Sequence, residues 1–99
     1  MQSGSALFRL LGDDARLRVL RLLELERLNV TELTAILGIA QSGVSRHLGL
    51  LKDAGLVADR AEGTRRLYRL QDEGIEAVRA YLEQVWGEAA ARFRMRAEN

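Results

Sequence analysis

The sequence predicts a mainly α-helical domain carrying one small β-hairpin, and three observations support that expectation. Apolar residues recur at helical spacing in several blocks, and the period switches to extended over residues 56–70. Gly12, Gly38, Gly55, Gly63 and Gly74 fall at the seams between blocks in a chain that has no proline. At 99 residues there is room for one core, so residues 1–99 are expected to form a single domain.

Ala6, Leu7, Leu10 and Leu11 recur at helical spacing and stop at Gly12, which predicts a short first helix. Asp13 and Asp14 open a second, over about 14–27, because carboxylates accept from free amides and suit the positive end of a helix dipole. Its Leu17, Val19, Leu20, Leu22, Leu23 and Leu25 ring most of the circumference, so this helix is expected to be covered on several sides at the centre of the core. Asn29 and Glu32 stand three apart before Leu33, Ile36 and Leu37, a capping-box pattern for a short third helix ending at Gly38. A fourth helix is expected from about Gln41 to Ala54, ended by Gly55. Two short arms around Glu62-Gly63-Thr64 then read as a β-hairpin. A long last helix begins near Asp72, with Ile75, Val78, Leu82, Val85, Ala89 and Phe93 at intervals of three or four.

Composition removes several function classes. With 47% hydrophobic and 29% charged residues the chain is expected to fold. The absence of cysteine excludes disulfides, thiolate metal sites and cysteine nucleophiles. Apolar runs are far shorter than the roughly 20 residues that span a bilayer, and no signal-peptide pattern opens the chain, so no membrane association and a cytoplasmic location are expected. One histidine, no glycine-rich phosphate loop and no paired acid and base leave no basis for an enzyme. No cofactor is expected. Net charge is only +1, yet residues 40–69 hold Arg46, Lys52, Arg60, Arg65, Arg66 and Arg69 against Asp53, Asp59 and Glu62. Such an excess suits a polyanion, and it equally suits a solvated surface.

The local pattern favours the polyanion. A short helix, a glycine-containing turn, a second helix and a hairpin with a basic tip make the layout of a winged helix-turn-helix. The helix at 41–54 can enter a major groove if one face is apolar for docking and the other small and polar for reading. Val44, Leu48, Leu51 and Ala54 supply the first, and Gln41, Ser42, Ser45, Arg46, Gly49 and Lys52 the second. Gly43 has three readings: close approach to DNA, tight packing on the third helix, or plain tolerance. His47 is either a phosphate or base contact or a structural hydrogen-bonder. In the wing, residues 57–69, Arg60, Arg65, Arg66 and Arg69 flank Gly63 and can reach phosphates or a minor groove, with Arg65 and Arg66 nearest the tip. Charged residues there also protect an exposed strand edge.

The last helix is acidic and has no base-reading pattern. Its stripe of Ile75, Val78, Leu82, Val85, Ala89 and Phe93, with Tyr81 and Trp86 beside it, exceeds what a small core can cover, and an uncovered stripe seeks a partner. A homodimer through the first and last helices, with Leu7 at the interface, would present two reading helices to half-sites about one duplex turn apart. The alternative is that this helix folds back on its own core.

Leu-Gly-Asp-Asp-Ala-Arg-Leu-Arg-Val-Leu (11–20), Leu-Asn-Val-Thr-Glu-Leu (28–33), Gln-Ser-Gly-Val-Ser-Arg-His-Leu (41–48), Leu-Lys-Asp-Ala-Gly-Leu-Val (51–57) and Tyr-Arg-Leu (68–70) together resemble the ArsR-type winged helix repressors over roughly residues 5–70. The resemblance implies a dimeric repressor that binds operator DNA and is released by an inducer, here an unknown small-molecule effector. It departs where the family's metal sensors carry their ligands. Asn29 and Thr31 stand in the segment that holds cysteines in thiol sensors, and the last helix has no histidine, which implies a member that does not sense metal. Asp72, Glu73 and Glu76 have the donor chemistry for a hard cation, but carboxylates in a first helical turn are explained by the helix dipole. Ala40 replaces a usual capping serine, so a slightly frayed start is expected for the fourth helix. Two further readings stay open: a winged helix serving as a protein-interaction or dimerisation module, and the DNA-binding part of a larger fused regulator.

Overall fold

The computed structural model describes residues 4–98. Its elements run α1 (Gly4–Leu11), α2 (Asp14–Leu25), α3 (Val30–Leu37), α4 (Gln41–Asp53), β1 (Val57–Glu62), β2 (Arg65–Leu70) and α5 (Asp72–Glu98), the predicted order of a winged helix-turn-helix.

The helix ends follow from their capping residues. The Asp13 carboxylate accepts from the Arg16 amide at 3.1 Å and starts α2. Asn29 and Glu32 form a complete capping box on α3, at 2.8 and 2.9 Å, and Gly38 closes that helix at a φ of 68°. Helix α4 ends in a Schellman pattern, the Leu56 amide donating to the Leu51 carbonyl and the Gly55 amide to that of Lys52, with Gly55 at a φ of 78°.

Helix α2 packs against α1, α3, α4 and β2. Its expected covering is incomplete, however: Val19 and Leu23 are buried, but Leu17 and Leu25 are exposed, because no element among the described residues lies over its outer side. Val44, Leu48 and Leu51 of α4 join Val19, Leu23, Leu28, Leu33, Leu56 and Val57 in the core. Leu7 belongs there too. That corrects its expected place at a dimer interface, since the side chain is already enclosed by its own protomer.

Strands β1 and β2 pair antiparallel from Val57↔Leu70 to Glu62↔Arg65. Leu28, in the α2–α3 connection, exchanges both backbone hydrogen bonds with Tyr68, at 2.8 and 3.2 Å, and so ties the wing's base to the helical layer.

Gly74 is not a seam; it lies in the first turn of α5. A Cβ there would stand 2.0 Å from the Gly55 carbonyl oxygen, so only glycine lets α5 cross the end of α4 this closely. Further along, Tyr81 packs on Phe8 with ring centroids 5.4 Å apart, and over Gly4. Val78 still packs on the core. Beyond Tyr81 and Leu82, α5 leaves the body of the protein rather than folding back on it, and with α5 included the structure extends 63 × 24 × 23 Å.

Candidate nucleic-acid interface

Helix α4 divides cleanly by period. At about 100° per residue, Val44, His47, Leu48 and Leu51 share one arc, and all four are buried. Gln41, Ser42, Ser45, Arg46, Gly49 and Lys52 share the opposite arc, and all are exposed. Bulky apolar side chains are absent from the first two turns of that arc. Ala40 offers no side-chain acceptor to the helix start, as expected from its methyl group. A Cβ on Gly43 would meet only Ile39 Cδ1, at 4.0 Å, so packing against α3 does not require the glycine.

His47 corrects the expected contact set. It is 6% exposed and lies on the docking arc, turned away from the polar one. Its Nδ1 lies 3.3 Å from Arg16 Nη1, and because a guanidinium only donates, Nδ1 is the acceptor. Arg16 also donates from Nε to the Leu10 carbonyl and approaches the Asp13 carboxylate at 3.9 Å. One mostly buried guanidinium thus links the end of α1, the start of α2 and the middle of α4. Sequence reasoning missed this role. The Asp13 carboxyl is held below the usual carboxylate range, first by the Arg16 amide and then by the Arg16 charge.

The wing turns at Gly63, whose φ is 63°. Cross-strand pairing puts Arg60, Glu62, Arg65, Leu67 and Arg69 on one face and Val57, Asp59, Ala61, Arg66, Tyr68 and Leu70 on the other. Arg65 and Arg66 are both exposed and both paired. Arg65 Nη2 lies 2.7 Å from Glu32 Oε1, the same oxygen that caps α3. Arg66 Nη1 lies 2.6 Å from Asp59 Oδ2, while Lys52 Nζ, from the end of α4, lies 2.7 Å from Asp59 Oδ1. These hydrogen bonds from Lys52 and Arg66 hold the Asp59 carboxyl below its usual range, and Asp59 raises Lys52 in return. Arg46 and Arg60 have no carboxylate partner among the described residues. Asp59 was not expected as a site residue, although its alternation with buried Val57 marks the inward face.

Among the described residues no group of three His, Asp or Glu could hold a metal ion, and no helix is long and apolar enough to cross a membrane. On α5, Ile75, Val85, Trp86, Ala89 and Phe93 are exposed, and Val78 and Leu82 are half-buried. Trp86 is 67% and Phe93 73% exposed, so the stripe from Val85 onward stays uncovered by its own protomer.

The model for bacterial regulatory proteins of the arsR family matches residues 13–59, from the cap of α2 through α4 into β1. The HTH-type transcriptional regulator Rv2034 of Mycobacterium tuberculosis is 40% identical over 79 residues, covering 80% of this chain and 74% of that protein. The arsenical resistance operon repressor of Escherichia coli (strain K12) is 37% identical over 81 residues, 81% of this chain and 69% of that one. An ArsR-like transcriptional regulator from Rhodococcus sp. RHA1, 22% identical, shares the fold with a TM-score of 0.85 over 96% of this chain and 90% of that one. With its polar helix arc beside a basic wing, the chain belongs to the arsR family of bacterial regulatory proteins, which are DNA-binding transcriptional regulators and not enzymes.

Proposed function

We propose that this chain is a homodimeric, sequence-specific repressor, acting in the cytoplasm as one domain over residues 1–99. Each protomer lays the polar arc of α4 in the major groove of a duplex operator. There Gln41, Ser42, Ser45 and Arg46 face the base edges and Gly43 admits close approach. Lys52, Arg60, Arg65 and Arg66, around the turn at Gly63, engage the sugar-phosphate backbone or the adjoining minor groove. The protomers join through the α5 stripe of Ile75, Val78, Leu82, Val85, Trp86, Ala89 and Phe93, which aligns two reading helices on half-sites about one duplex turn apart. Release by a small-molecule effector is what the family likeness adds.

The observation that carries this reading is the division of α4: its apolar arc is buried and its polar arc is exposed, with Lys52 at its end joined through Asp59 to Arg66 of the wing. Selection of bound duplexes from a random pool tests it. The selected duplex is expected to bind with log affinity falling against log salt at a slope of about −5 to −7, for six to eight phosphate contacts. No enrichment, or binding indifferent to salt, would refute it. The exposure of Trp86 and Phe93 also favours a protein-interaction module. Stable complexes with another protein, together with no duplex binding at low salt, would establish that reading instead.

A further inference from the structure

The geometry points to a phosphate cradle where the end of α4 meets the wing: Lys52 and Arg66, held side by side on the Asp59 carboxylate, together receive one backbone phosphodiester. This rests on the DNA reading above and says how one part of that interface is built.

Asp59 sits on the inward face of β1, opposite Tyr68 in the strand register. Its side chain is 6% exposed, whereas those of Lys52 and Arg66 are more than half exposed. Each carboxylate oxygen takes one cation, at 2.7 Å from Lys52 Nζ and 2.6 Å from Arg66 Nη1. The negative charge therefore lies underneath and two positive charges lie outside, a local excess of one. An ammonium and a guanidinium carry more donors than the one each gives to Asp59, and the rest remain available to an anion. A monoanionic phosphodiester matches the excess charge and accepts from both. One cation comes from the reading helix and the other from the wing, so the same phosphate would fix the angle between the two.

Long cationic side chains lose rotamer freedom when they grip a phosphate. Asp59 orders both before the duplex arrives, so binding loses less entropy. Asp59 is thus a positioning residue that acts through Lys52 and Arg66. Arg65 contrasts with them. Its partner Glu32 is itself 40% exposed, so that carboxylate stands beside its arginine at the surface rather than beneath it.

Asp59→Asn provides the test because it sets two signs against each other. Removing an acid near DNA would by simple charge tighten binding, whereas losing the anchor loosens it. With the full chain and the duplex it selects from a random pool, Asp59→Asn is expected to weaken binding about fivefold. Asp59→Glu should recover part of the loss, and melting curves confirm that each variant is folded at the assay temperature. In a Lys52→Met/Arg66→Met background, Asp59→Asn should cause no further weakening. Equal or tighter binding by Asp59→Asn overturns the cradle, and so does an equal loss in the double-variant background. If the wild-type chain binds no duplex, the DNA reading falls as well, a result distinct from either of these. Free orthophosphate shares the chemistry. Replacing chloride by phosphate at matched ionic strength, without duplex, should leave the Arg66 Nε–H resonance unsaturated. A saturable shift at low millimolar phosphate would reassign the site to a free anion.

Discussion

Helix α4 hides its apolar arc inside its own protomer, whereas α5 leaves most of an apolar stripe in solvent. Both sequences have helical period, and both put their apolar residues within about 100–140° of arc. What differs is what lies opposite. Helices α2 and α3, β1 and the segment at Leu56 close over Val44, Leu48 and Leu51. The body meets α5 along its first turns, at Gly74, Val78 and Tyr81, and residues 83–97 are exposed. Period therefore states which face is apolar, and topology decides whether that face becomes core or contact surface.

The largest expected effect breaks the covered side. Leu48 is fully buried, and Leu48→Ala should destabilise the fold by about 2–5 kcal/mol through lost transfer energy and the cavity left behind. Phe93→Ala, on the uncovered side, should leave the unfolding of the monomer almost unchanged. Urea unfolding of both variants at protein concentrations low enough to separate protomers measures the contrast. Comparable losses would mean that the stripe is supported within one chain.

The next effect breaks the uncovered side. Phe93→Asp places a charge on the stripe without touching the core, so the protomer should fold and the dimer should dissociate. Burying a phenylalanine contributes about 1.5–3 kcal/mol, and each dimer loses two copies, so a dissociation constant raised at least 100-fold is expected from sedimentation equilibrium. An unchanged dimer would place the protomer contact elsewhere.

On the polar arc of α4 the effect is smaller and of another kind. Arg46 has no carboxylate partner among the described residues, so its charge is free for DNA. Arg46→Ala should weaken duplex binding about tenfold while leaving the melting temperature unchanged. If Arg46 meets a phosphate, the salt slope should also shrink by about one per protomer; if it meets a base, selectivity at that position should relax instead.

Much of this division is legible in the residues themselves, because the signals are local. Asp13, the Asn29 and Glu32 box, Gly38 and Gly55 mark helix ends through bonds spanning a few residues, and Gly63 marks the turn in the same way. The misreadings involve partners distant in sequence. Positions 44, 47, 48 and 51 share an arc, yet the polarity of His47 hides its place in the core, and Arg16, which accommodates it, lies 31 residues away. Leu7 carries the right period, but nothing local says whether it meets its own core or a second copy. Asp59 reads as one acid among arginines until the hairpin register turns it inward between Lys52 and Arg66.

The smallest effect separates the two helices by acid. The Asp13 carboxyl is held low by the Arg16 amide and the Asp59 carboxyl by Lys52 and Arg66, and both sit where α4 is anchored. On α5, Glu76 is held low by Arg79, which also pairs with Glu83, all exposed. A carboxylate whose folded value is depressed supports the fold at pH above its unfolded value, near 4, and that support is lost as the pH falls through the depressed value. The urea midpoint should therefore decline below about pH 4 as these carboxylates take up protons. Added salt screens exposed charges far more than enclosed ones. At high salt the share removed by Glu76→Gln should vanish, whereas the share removed by Asp59→Asn should persist, because Asp59 lies beneath its cations. Equal screening of the two would mean that the α4 anchor is as open to solvent as the α5 ladder.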